Sequence, residues 1–93
     1  MIAKNLLNQT DNLLKELDTL HRDVSTQRLY WEGTPRELAK LLGFGEAPDI
    51  FCNRILIEMQ SVSDGRVIGC VRSTTWRIWL PHTEHDYQGQ DPF

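Results

Sequence analysis

No stretch of this 93-residue chain approaches the roughly 20 consecutive apolar residues needed to cross a bilayer. The N-terminus lacks the basic segment and short greasy run of a secretion signal. Together these absences lead to the expectation of a cytoplasmic protein. A basic excess is missing as well: the formal net charge is −3, which argues against a protein that coats nucleic acid indiscriminately. Cysteine is scarce, and Cys52 and Cys70, each among apolar neighbours, read as buried thiols rather than a disulfide. There is no internal repeat and no low-complexity block. What remains is an ordinary globular composition, 40% hydrophobic and 25% charged, without the apolar poverty of disordered chains. At this length it forms one domain with a small core.

Three regions follow from the pattern along the chain. Over residues 1–24, Leu6, Leu13, Leu17, Leu20 and Val24 recur at three- and four-residue intervals, with Leu7 and Leu14 widening the stripe. The spacing predicts an amphipathic helix from Ile2 to Val24. Written as heptads, Leu6, Leu13 and Leu20 take one seam and Thr10, Leu17 and Val24 the other. Such a seam either packs on the chain's own domain or zips with a second copy, with Leu13 and Leu17 in the interface.

Residues 25–80 carry the clearest local signals. Leu29-Tyr30-Trp31 is a strand-like run closed by Gly33, and Thr34-Pro35-Arg36-Glu37 is a capping box with proline at the first helical position. A short helix from Pro35 buries Leu38, Leu41 and Leu42 and ends at Gly43. A second helix opens at Pro48-Asp49 and runs to about Val62. Phe51, Cys52, Ile55, Leu56, Met59 and Val62 form its inner face; Ile50, Asn53, Arg54, Ile57, Gln60 and Ser61 form the outer one. After a turn at Ser63-Asp64-Gly65, two strand-like runs, 66–72 and 75–80, form a hairpin. Residues 81–93 carry three acids, no basic residue and no periodicity, and read as an acidic flexible tail. The expected fold is α+β: a winged helix-turn-helix of strand, two helices and β-hairpin wing, preceded by an extra N-terminal amphipathic helix.

The segment Tyr30 to Leu38, followed by a helix and a hairpin ending Trp76-Arg77-Ile78-Trp79, resembles the winged-helix module at the C-terminal end of phage and plasmid primase-helicase proteins. The resemblance spans about residues 29–80. It implies a small product of a phage or other mobile element, and it carries over no catalytic residue.

Two functions compete. One is a double-stranded-DNA-binding protein of replication or transcription control. Asn53, Arg54 and Gln60 are of types that contact base edges. Arg66, Arg72 and Arg77, in a stretch without acids, would grip phosphates, as would the helix start at Thr34 with Lys40 nearby. Against this, Asp49 and Glu58 lie on the same helix. The other is a protein-interaction module of the same fold, an inhibitor or adaptor of a host or phage replication, transcription or defence complex. Ile50 and Ile57, seven apart on the face that should be wet, would anchor it unless the first helix covers them. Trp31, Trp76 and Trp79 are core residues by default; an exposed one would be a strong anchor. His82 and His85 with Cys52 and Cys70 make a poor zinc set, since the cysteines are singletons inside regular structure. No nucleophile-base pairing can be assembled, and His21 has no evident partner. The expectation is a protein that binds, with no metal or cofactor and no enzymatic activity.

Overall fold

The computed structural model describes residues 2–70 and 72–81. Its best-specified element is the one with the strongest local code. The Thr34 hydroxyl accepts the Glu37 amide at 3.2 Å, and the Thr34 amide donates to Glu37 Oε1 at 2.7 Å. The capping box is thus complete, and helix α2 runs Pro35–Leu41. It stops at Gly43, whose φ of +90° suits glycine because no Cβ opposes it.

Around it the order is α1 (Ile2–Leu14), β1 (His21–Arg22), β2 (Leu29–Gly33), α2, α3 (Asp49–Val62), β3 (Val67–Gly69) and β4 (Trp76–Trp79). The strands form one antiparallel sheet in the order β1-β2-β4-β3. The chain is therefore a small α+β structure of three helices and a four-stranded sheet. The β3–β4 ladder is shorter than the two expected runs, although Cys70 and Arg66 extend its pairing to Thr75 and Trp79. Cys52 is buried, Cys70 is half-buried and both are free thiols. Apart from Pro81, the expected acidic tail, with His82 and His85, lies outside the described residues.

Two expectations about the N-terminus are corrected. The helix ends at Leu14, ten residues before Val24. Leu17 and Leu20 still pack against the core, but from backbone outside the helix. Val24 is 85% exposed in the turn that brings β1 beside β2. That turn is held by Asp23, whose carboxylate accepts the Ser25 hydroxyl and amide. These donors hold the carboxyl below its ordinary pKa, the hydroxyl contributing most. Apolar residues thus keep a helical spacing because the same core is reached first by a helix and then by an extended chain.

Nor is α1 an addition to a finished domain. Leu7, Thr10, Asp11 and Leu14 are buried, and Leu7 and Leu14 join Trp31, Leu38, Ile55, Leu56, Met59, Val67 and Ile78 in one core. With Thr10 and Leu14 turned inward and Val24 elsewhere, the two-seam zipper surface does not exist. Leu17 is half-buried on its own domain, and only Leu13 remains partly open.

Asp11 is the unexpected member of the inward stripe. Both its oxygens accept from Arg66, each at 3.0 Å, and Arg66 also donates to the Trp79 carbonyl at 3.0 Å. The side chains are only 9% and 19% exposed. Removing one partner from such a pair strands a poorly solvated charge. Asp11→Ala is expected to cost about 3 kcal/mol in urea unfolding, with most of it recovered in the Asp11→Leu, Arg66→Met double variant.

Candidate functional site

The outward side of α3 is the surface the fold leaves uncovered. The helix is amphipathic because Cys52, Ile55, Leu56 and Met59 lie within one half of its circumference, and all four are buried. Ile50, Asn53, Arg54, Ile57, Gln60 and Ser61 lie on the other half, and all are exposed. The idea that the first helix covers the two isoleucines is overturned. The Thr10 hydroxyl of α1 meets Met59 Sδ at 3.5 Å, which puts α1 on the opposite side of α3. Ile50 is 80% exposed and Ile57 56%. An apolar shoulder continues the patch at the α2–α3 corner. Phe51, expected in the core, is exposed and meets Phe44 edge-on with ring centroids 5.2 Å apart, and Leu41 is also open. Phe44, set between Gly43 and Gly45 where the chain turns, was the sequence signal for this corner.

The polar groups of the helix face are less free than their exposure suggests. Asn53 Nδ2 donates to the Asp49 carbonyl at 3.0 Å. Among the described residues Arg54 and Gln60 make no side-chain hydrogen bond or ion pair beyond their own surroundings, and they stand open beside Glu58. At the head of α3 a groove of about 530 Å³ lies between the starts of α2 and α3 and the hairpin, lined by Thr34, Arg36, Asp49, Asn53, Ser73 and Trp76. Arg36 Nε donates to Asp49 Oδ1 across it at 2.6 Å. That hydrogen bond, with the charge of Asp49, raises the Arg36 pKa above its ordinary value. The groove thus holds a neutralised ion pair, not a nucleophile beside a base.

The cations expected to grip phosphate do not converge. Arg66 is spent on Asp11 at the far end of the hairpin. Arg77 lies 3.5 Å from Glu32 and 4.9 Å above the Tyr30 ring, on the sheet face away from α3. Lys40 faces Glu46 at 3.8 Å. Thr34 is occupied by its own capping box, and α2 is only seven residues long. Arg72 is exposed, so it and Arg54 are the two expected cations without an acidic partner among the described residues.

No known protein family, curated protein or solved structure matches the chain.

Exposure of Ile57 separates it from its neighbour Leu56, which is fully buried. Ile57→Ser is expected to change unfolding free energy by no more than about 0.5 kcal/mol. Leu56→Ala is expected to cost about 2–5 kcal/mol. Chemical denaturation of the two variants checks the assignment of faces.

Proposed function

We propose that this chain is a winged-helix protein-interaction module that docks a partner protein on the outward face of α3. The order α2, α3, hairpin, with the second hairpin strand paired to β2, supports the winged-helix reading. The resemblance of residues 29–80 to phage and plasmid primase-helicase modules suggests a mobile-element product acting on a replication, transcription or defence complex. The observation that carries the docking reading is the exposure of Ile50 and Ile57, two turns apart on one helix face. Each would bury about 1.5–3 kcal/mol of apolar side chain against a partner.

A heterologous partner fits better than a second copy. Antiparallel packing of two α3 helices with Ile50 over the other copy's Ile57 sets Arg54 opposite Asn53, one residue from its own symmetry mate. Like charges that close are unfavourable in a desolvated interface. A partner with apolar side chains at both ends and a carboxylate between them would satisfy the face.

Double-stranded DNA is the second reading, favoured by the openness of Arg54, Gln60 and Arg72. It has few unpaired cations, since Arg66 and Arg77 each face an acid. Affinity capture with nuclease treatment, followed by titration of the identified partner, separates the two. In the protein reading capture survives nuclease, and Ile57→Ser weakens it by about tenfold or more at unchanged melting temperature. Capture that vanishes with nuclease, together with a duplex gel shift lost in Arg54→Ala, would instead establish DNA as the ligand.

A further inference from the structure

The sheet has a second face, and it is unlike the first. Strand residues alternate sides, so Trp31, Ile78 and Val67 point into the core with all three helices, while their neighbours point away from it. On the outer side the register aligns His21 of β1, Tyr30 of β2 and Trp79 of β4 in one row, and Glu32, Arg77 and Ile68 in the next. The His21 and Tyr30 rings are stacked at 5.3 Å, and the Tyr30 and Trp79 centroids are 4.4 Å apart. The Arg77 guanidinium lies 4.9 Å from the Tyr30 ring and that of Arg28 5.9 Å from the Trp79 ring. Trp79 is the tryptophan of this outer side, in the row with His21 and Tyr30. His21 and Ile68 are exposed, and Tyr30 and Trp79 are half-buried and in contact with one another.

From this juxtaposition we propose that the outer sheet face is a binding platform for single-stranded nucleic acid. The three rings already lean on one another as one continuous row, and its exposed end, His21, is where an unpaired base would extend the stack, since every base has a π-face. Arg28, at the Trp79 end of the ring row, is held by the Leu80 carbonyl at 2.8 Å and supplies charge for a connecting phosphate, whereas Arg77 over the middle ring is answered by Glu32. A duplex is not the matching ligand, because its bases are already stacked and only their edges are open. A protein partner matches less well, because Ile68 is the single aliphatic side chain of the two rows. The one acid in them, Glu32, is already engaged by Arg77 and by the Thr75 hydroxyl at 3.4 Å. This surface is separate from the outward face of α3, so it stands or falls independently of the docking reading.

Fluorescence anisotropy with labelled oligothymidylate and oligouridylate of about 15 nucleotides, near the upper site size of one such surface, tests it. Both strands are expected to bind, the matching duplex more weakly, with quenching of tryptophan emission. Trp79→Ala is expected to weaken binding at least about fivefold, while Trp79→Phe retains most of it. Arg28→Ala is expected to lower the log–log salt slope by about 0.7, the contribution of one single-strand phosphate contact. Because Trp79 also packs in the sheet, His21→Glu at the exposed edge serves as a second variant, expected to weaken binding at unchanged melting temperature. No anisotropy change up to roughly 0.1 mM protein, the weak end of non-specific binding, would overturn the proposal. So would binding that is unaffected by His21→Glu and Arg28→Ala but lost in Arg54→Ala.

Discussion

The Arg66 guanidinium is the junction on which the rest of the structure hangs. With Asp11 it ties helix α1 to the start of the hairpin, and through the Trp79 carbonyl it reaches the last residue of β4. Two charges this poorly solvated are stable only as a pair with their hydrogen bonds made. The pair joins the buried Leu7 and Leu14 in holding α1 across the inner side of α3, with Thr10 against Met59. Once α1 is there, the outer side of α3 has nothing over it. Ile50 and Ile57 are exposed because α1, held by this pair and by Leu7 and Leu14 in the core, lies on the other side of α3.

The same pairing changes the electrostatic reading. Arg66, Arg72 and Arg77 stand in a stretch, 66–80, that contains no acid, which suggests a basic hairpin. In the folded chain the acids arrive from elsewhere. Asp11 comes from α1, 55 residues away, and Glu32 from the neighbouring strand β2. Antiparallel pairing places Glu32 directly across from Arg77. A hairpin with two of its three arginines answered this way has a weak field for attracting duplex DNA. The helix beside it presents apolar side chains instead, and that combination is what favours a protein partner there.

The sheet divides the remaining aromatic residues by parity. Trp31 goes inward with Gly33 beside it, and a side chain at Gly33 would strike the Trp31 ring at 2.5 Å. Tyr30 and Trp79, one position off, go outward to meet His21. His21 had no visible role in the sequence because β1 is two residues long, too short for a period-2 pattern to register. Its partner row exists only after β1 folds back through the Asp23 turn.

Local codes were readable from the sequence because they involve atoms a few residues apart. The capping box at Thr34, the glycine stop at Gly43, the inner face of α3 apart from Phe51, and the alternation in β4 each depend on spacing alone, and the structure places them where that spacing puts them. The end of α1 was not readable, since Leu17 and Leu20 keep a helical interval while reaching the core from non-helical backbone. Nor did any spacing mark Asp11 as an inward acid that would meet Arg66, 55 residues on. The sequence by itself determined which faces are apolar and where most helices begin and end. Only the tertiary structure decided which side of α3 is covered, which arginines are neutralised and which rings share a face. Those outcomes depend on contacts between residues dozens of positions apart, and no periodicity records them.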